Sequence, residues 1–283
     1  MVKEFEGQYG IILGGSSGLG YASALKLAQH GMNLIILYRA SRIQASKVEV
    51  DFQMIRSFGN QLLTLNIDAA REDKIMEALT QIKPFIKENK VSVLLHSISK
   101  GNLKPMTGKD KLSSGDFQQT VQSMGISLYS WVSNLYAQSL FATPARIISF
   151  TSEGSVKPMN GYAAVSAAKA TLEAINRSMA IEFAPAQITS NCIQAGVTDT
   201  DSLKRIPSYE ALKEMSLKRN PNHRLTQPVD VANTVYLLAL KSLNGLQVML
   251  LKLMVVNHYN NLILNKLNNT YLTNTLYIAF RSV

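Results

Sequence analysis

The sequence has one cysteine, Cys192, so no internal disulfide can staple it, and a reducing compartment is expected. The four histidines, His30, His96, His223 and His258, are scattered. No Cys/His cluster has metal-ligand spacing, so no metal is expected. No run reaches the ~18 apolar residues that cross a bilayer. The best stretch, Leu246 to Val256, is short and is interrupted by Lys252. The N-terminal residues place acids where a secretory signal needs an apolar run. A cytoplasmic protein with no membrane partner is therefore expected. Acids are also outnumbered, 19 against 29 lysines and arginines, a formal charge of +10. That balance suits an anionic partner: nucleic acid, membrane, an acidic protein or a phosphorylated cofactor. No nucleic-acid recognition motif accompanies the charge, so no nucleic acid is expected. What is present is 283 residues, 46% apolar and 17% charged, enough for a real core. This excludes a disordered chain and a disulfide-stapled miniprotein.

Strand and helix patterns alternate. Gly10–Gly14, Asn33–Tyr38, Leu62–Ile67, Val91–His96, Ala145–Phe150 and Ile188–Ile193 are short apolar runs that predict buried strands. Ser17–His30, Ser41–Phe58, Glu72–Glu88, Asp116–Leu140, Ala163–Phe183 and Pro228–Leu240 carry helical patterns between and after them. Such alternation predicts βαβ units with right-handed crossovers in an α/β fold: a single Rossmann-type, doubly wound parallel sheet. Ligands then bind beyond the C-terminal strand ends.

Gly14, Gly15, Ser16, Ser17, Gly18, Leu19 and Gly20 join the first strand to the first helix. Glycines permit a tight turn and close backbone approach, and the helix N-terminus offers free N–H groups to a pyrophosphate. Dinucleotide binding is the reading preferred over an ordinary strand–helix turn. The second strand ends in Tyr38, Arg39, Ala40, Ser41 and Arg42, without the acid that would bind a ribose 2′-OH. Two arginines and a serine suit the 2′-phosphate of NADP instead.

With this spacing the chain resembles the short-chain dehydrogenase/reductase family over roughly residues 5–245. Leu13-Gly14-x3-Gly18-x-Gly20 is similar to its Thr-Gly-x3-Gly-x-Gly motif, and Asn66-Ile67-Asp68-Ala69 to its adenine-contacting segment. His96-Ser97-Ile98-Ser99 stands where commoner members have Asn-Asn-Ala-Gly. Gln194 to Thr200 is similar to the Pro-Gly-x-Ile-x-Thr segment that holds the nicotinamide carboxamide, with Ala195 in place of proline. Tyr162 and Lys169 are seven residues apart, where most members have Tyr-x3-Lys. Seven residues advance a helix by about 700°, roughly two turns, so both side chains share a face. The Tyr-x6-Lys spacing and Ile126–Trp131 resemble the enoyl-acyl-carrier-protein reductase branch, and Asp199–Pro207 its NADPH-dependent FabL type. Gly125 stands near the asparagine that commoner reductases use for a proton-relay water, which argues against plain ketone reduction.

The resemblance implies catalytic Tyr162, Lys169 and Ser152. It implies NADPH bound by Gly14, Ser16, Ser17, Gly18, Leu19, Gly20, Arg39, Ser41, Arg42, Asp68, Ala69, Ser97, Lys169, Thr198 and Thr200. The reaction it implies reduces the double bond of an enoyl thioester carried on acyl carrier protein, in fatty-acid synthesis, by a homotetramer. The alternatives are a 3-oxoacyl or other carbonyl reductase and an inactive NADP-binding product. His96 is read as a satisfied strand-end residue and Cys192 as a small core hydrophobe. The basic segment Lys204–Arg224 falls at the family's mobile substrate lid, and a solvated loop is preferred there over a docking site for an acidic carrier.

After Leu240 the family expects a last strand and an Asp-Gly-Gly turn. Leu246–Val283 instead has no acid and seven asparagines. Gly245–Asn261 can be encoded so that skipping two bases reads Ile-Thr-Gly-Asn-Val-Ile-Lys-Val-Asp-Gly-Gly-Glu-Ser-Leu followed by a stop. The expectation is therefore a reductase domain over residues 1–245 and an out-of-frame tail over residues 246–283, with the last strand missing or replaced. Family contacts that build a tetramer near this terminus would then be in doubt.

Overall fold

A computed structural model describes residues 3–206, 208–220, 222–243, 247, 250–252 and 275–277. Strands β1 (Tyr9–Leu13), β2 (Asn33–Tyr38), β3 (Leu62–Asn66), β4 (Val91–His96), β5 (Phe141–Thr151), β6 (Ile188–Gln194), β7 (Leu250–Lys252) and β8 (Thr275–Tyr277) form one sheet, ordered β3-β2-β1-β4-β5-β6-β7-β8. Every pairing is parallel. The helices are α1 (Gly18–Gln29), α2 (Arg42–Arg56), α3 (Asp73–Ile86), α4 (Ser114–Val121), α5 (Ser127–Ala137), α6 (Ala163–Glu182), α7 (Asp201–Lys204), α8 (Tyr209–Arg219) and α9 (Pro228–Ala239).

All residues of β1 and β4 are buried, as continuous apolar strands covered on both faces must be. On one face α1, α2 and α9 pack Leu27, Phe52 and Val235 against Ile12, Ile36 and Phe150. On the other, α3, α5 and α6 pack Leu79, Trp131 and Leu172 against Ile11, Leu37 and Ile147. The strand order reverses between β1 and β4, so the loops after these strands diverge and open a crevice.

Two departures from the expected elements bear on that crevice. The helix expected over Asp116–Leu140 is divided into α4 and α5 by a π turn at Gln122–Ile126. Gly125 lies in that turn, where a Cβ would sit 3.1 Å from the Ala168 carbonyl oxygen of α6. The π turn thus brings the helix backbone against the helix that carries Tyr162 and Lys169. The second departure is α7 and α8. α8 has no buried residue, and its sequence shows no apolar stripe by which to foresee it.

Toward the far edge, the place beside β6 is taken by β7, with β8 outside it. β6 and β7 pair through Ile193↔Leu251 and Gln194↔Lys252, whereas β5 and β6 pair over seven residues. Leu251 is fully buried against the α9 face. Farther along the segment expected to be out of frame, β8 pairs with β7 through Leu250↔Thr275, Leu251↔Leu276 and Lys252↔Tyr277. Apart from Gln247 and these two strands the segment, with its boundary near residue 245, lies outside the described residues. Among the described residues no helix is long and apolar enough to cross a membrane.

Candidate active site

The turn after β1 is built for close approach. Gly14 and Gly18 adopt φ values of 85° and 55°, a region disfavoured for residues with a Cβ. A Cβ on Gly14 would lie 2.7 Å from the Ser97 carbonyl oxygen, and one on Gly20 would collide with the Gly14 carbonyl oxygen. Ser17 is the N-cap of α1, yet its side chain caps nothing, which leaves first-turn N–H groups without a side-chain partner. Ser16 precedes it, half-buried. Ser97 is fixed by its own N–H, which donates to the Leu13 carbonyl at 2.8 Å. The methyl of Thr200 stands 3.6 Å from a Cβ built on Gly18.

Beyond the second strand, Arg39 is 58% exposed and reaches Asp68 Oδ2 at 3.4 Å, with Lys100 on the same oxygen at 3.2 Å. Burial acts to raise the Asp68 pKa. It is outweighed by the Ala70 N–H and by Lys100 and Arg39, so the carboxyl is held below its ordinary value. Asn66 exchanges two hydrogen bonds with the Ala40 backbone, 3.1 Å each, which pins the loop that presents Arg39. Ser41 and Gln44 close a capping box at the start of α2, and Arg42 opens that helix, exposed. The Ala69 side chain is in the core and its carbonyl accepts from the Trp131 indole at 2.8 Å.

Across the crevice, Tyr162 is the N-cap of α6 and Lys169 lies two turns along, both buried. The hydroxyls of Ser152 and Tyr162 are 3.3 Å apart. Burial raises the Tyr162 pKa above its ordinary value and the Ser152 bond opposes this. The Lys169 ammonium donates to the Phe150 carbonyl oxygen at 2.7 Å. Burial pulls its pKa down to about 8, against the raising influence of Cys192 and Glu173. His96 is only half satisfied. Its Nε2 pairs with Ser127 Oγ at 2.8 Å while its buried Nδ1 has no partner. Burial, then the nearby Lys169, pushes its pKa down to about 3, so it is neutral at pH 7. Cys192 is fully buried in the core, as its strand pattern suggested.

Gly14, Ser17, Gly18, Leu19, Ser97, Ser152, Tyr162 and Lys169 line one cavity of about 340 Å³, whereas Ser16, Gly20, His96 and Cys192 stand behind its wall. Thr198 and Thr200 line it as well, but both hydroxyls already have structural roles. Thr198 donates to the Gly196 carbonyl at 2.8 Å, and Thr200 caps α7 by accepting from the Leu203 N–H. Arg39, Ser41, Arg42, Asp68 and Ala69 lie beyond the cavity lining. Leu203, Ile206, Leu212 and Arg219 from the α7–α8 segment close the outer side. Ser202 contacts Ser99 at 3.2 Å, and Arg219 lies 3.7 Å from Glu153. Lys100, Ser202, Arg219 and the buried Glu173 were not singled out as site residues. Ser202 falls in Asp199–Pro207 and Arg219 in the basic segment Lys204–Arg224, both marked by the sequence, and Glu173 stands one helical turn beyond Lys169.

Residues 14–247 match the family described as Enoyl-(Acyl carrier protein) reductase. A 3-oxoacyl-[acyl-carrier-protein] reductase FabG of Aggregatibacter actinomycetemcomitans is 28% identical over 227 residues, 80% of this chain and 88% of the relative. The peroxisomal 2,4-dienoyl-CoA reductase of Mus musculus is 25% identical over 230 residues, 81% and 76% of the two chains. A dehydrogenase/reductase from Sinorhizobium meliloti 1021 superposes with a TM-score of 0.75 at 22% identity, covering 88% of this chain and 94% of its own. An enoyl-(acyl-carrier-protein) reductase from Anaplasma phagocytophilum, in complex with NAD, gives 0.74 at 18% identity, with 90% and 92% covered. The last two show likeness of fold. The matched family spans the glycine turn, the Tyr162–Lys169 pair and the lid in a single stretch, and on that ground the chain belongs to the enoyl-(acyl carrier protein) reductase family of short-chain dehydrogenases/reductases, oxidoreductases that bind a nicotinamide cofactor.

Proposed function

We propose that the protein reduces the double bond of an enoyl thioester carried on acyl carrier protein, with NADPH as the reductant. The observation that carries this reading is Tyr162 and Lys169 on one face of α6, with Ser152 Oγ 3.3 Å from the tyrosine hydroxyl, in a cavity continuous with the glycine turn. The residues fit the cofactor. Bare glycine backbone and uncapped first-turn N–H groups suit a pyrophosphate, and Arg39 and Arg42 beside the α2 N-terminus suit a 2′-phosphate. When bound, NADPH would supply the hydride for the substrate's β-carbon, and a proton taken up from water at the α-carbon would complete the reduction.

The protein's own residues then do three things. Tyr162, kept protonated at neutral pH by its raised pKa, donates to the thioester oxygen as negative charge develops there. Ser152 is placed to make a second hydrogen bond to the same oxygen. Lys169, anchored on the Phe150 carbonyl, offers its remaining donors to the nicotinamide ribose hydroxyls. Met124, Leu103, Val165 and Ile206 give the acyl side an apolar, water-poor wall.

Relatives named 3-oxoacyl reductases support a second reading, reduction of a ketone. Gly125 favours the first reading, because it places no side chain where a relay asparagine is expected. The test follows NADPH oxidation with crotonyl and acetoacetyl thioesters of acyl carrier protein. Faster crotonyl turnover is expected, and faster acetoacetyl turnover would establish the ketone reading.

A further inference from the structure

Beneath the cavity floor lies a carboxylate that the proposed reaction does not use. Glu173 follows Lys169 by four residues on α6, one helical turn, a spacing that brings side-chain bases to within about 5–6 Å. Both side chains are buried, at 7% and 8% exposure. Each is tied to the end of β5. Lys169 Nζ donates to the Phe150 carbonyl at 2.7 Å, and Thr151 Oγ1 donates to Glu173 Oε1 at 2.6 Å. Phe150 and Thr151 are consecutive and lead directly into Ser152. A Glu–Lys turn of one helix is therefore clamped onto the strand end that presents the serine.

We propose that Glu173 is a positioning residue, whose negative charge keeps the buried Lys169 ammonium protonated and directed at the cofactor. The role given to Lys169 rests on the proposed function.

The groups around Lys169 leave Glu173 as the source of that charge. Cys192 approaches from β6, but burial pushes its thiol up to about 12, so it is neutral at physiological pH. His96 approaches from β4 and is neutral for the opposite reason, held near 3. Tyr162, two turns back on α6, is neutral because its pKa is raised. The exposed Arg177, one turn beyond Glu173, adds positive charge to the same neighbourhood. Burial alone favours the neutral amine. A fixed anion one turn away opposes this, and in a low-dielectric setting it does so more strongly than it would in water.

The test compares the parent with Glu173→Gln, which keeps an acceptor for Thr151 and removes the charge, and with Glu173→Asp, which keeps the charge. Titrate the Lys169 ε-carbon by NMR in lysine-labelled, full-length protein, assigning the signal by its loss in Lys169→Arg. Measure NADPH affinity by fluorescence over the same pH range. The midpoint should fall by about one pH unit in Glu173→Gln, and by less than about half a unit in Glu173→Asp. The pH at which NADPH affinity declines should move down with it, while thermal stability at neutral pH stays near that of the parent. An unmoved midpoint in a folded Glu173→Gln overturns the proposal. So does a full-unit drop in Glu173→Asp, which also serves if the glutamine variant does not fold. If the midpoint moves but NADPH affinity does not follow, Glu173 tunes Lys169 as proposed and the cofactor role of Lys169 is what fails.

Discussion

On the α6 side of the cavity, Tyr162, Lys169 and Glu173 are each more than nine-tenths buried, and each is hydrogen-bonded to β5 or the residue after it. On the lid side, α8 has no buried residue and the polar ties are exposed, Arg219 to Glu153 at 3.7 Å and Ser202 to Ser99 at 3.2 Å, while Leu203 and Ile206 supply the apolar contact. One wall is preorganised, with its donors fixed before anything binds. The other combines exposed polar ties, worth little in water, with a few apolar contacts, and is the less constrained wall. Substrate range should therefore be set by the lid and rate by α6.

The largest expected effect tests the rigid wall. Tyr162→Phe should lower kcat by on the order of 10²-fold or more, with NADPH affinity within about twofold of the parent. Comparable loss of affinity would mean that the hydroxyl is part of the cofactor site and would blur the division between the walls.

A second effect concerns the cost of burying a cation there. Lys169 has a pKa near 8 in the fold against 10.5 in the open chain. Between those values the unfolded chain holds a proton that the folded protein has released, so stability rises with pH across that window. Below pH 8 the penalty is fully present, up to about 3 kcal/mol. Lys169→Met should gain most over the parent below pH 8, and that advantage should shrink toward pH 10.5. Denaturant unfolding at both ends measures it. A constant difference would show that Lys169 titrates normally.

Smaller is Arg39→Ala at the phosphate end, which should weaken NADPH roughly tenfold or more and leave NADH nearly unchanged. Titrating both cofactors decides this, and equal affinities in the parent would remove the case for NADPH. Smallest is Arg219→Ala on the lid. KM for the thioester should change only a few-fold and kcat hardly at all, as befits an exposed ion pair. A large fall in kcat would make the lid part of the rigid machinery.

The sheet, the glycine turn and part of the preorganised wall are legible in the sequence. β2 and β4 have the bounds their apolar runs predict, and the glycine turn and the Tyr162–Lys169 spacing read directly, because backbone geometry and helical period restrict which residues can stand there. The lid helix was hidden because its stability comes from the rest of the fold and not from an apolar stripe. The π turn was hidden because it changes hydrogen-bond register inside an otherwise helical pattern. Ser41 reads as a ligand group from its place beside Arg39 and Arg42, and Thr200 from the family resemblance; each hydroxyl also accepts a cap hydrogen bond. A sequence does not reveal that a hydroxyl already serves a cap. A glutamate on a long helix reads as solvent-facing, so the sequence does not disclose that Glu173 is buried.

Cys192 gives the molecule an internal clock. It is the single thiol in the chain, sits wholly inside β6 between β5 and β7, and has its pKa raised to about 12. An alkylating reagent at neutral pH meets neither access nor thiolate while the sheet is closed. Each labelling event therefore counts an opening. Because β6 is zipped to β5 over seven residues but to β7 over two, the rate of labelling reports how often this part of the sheet comes apart.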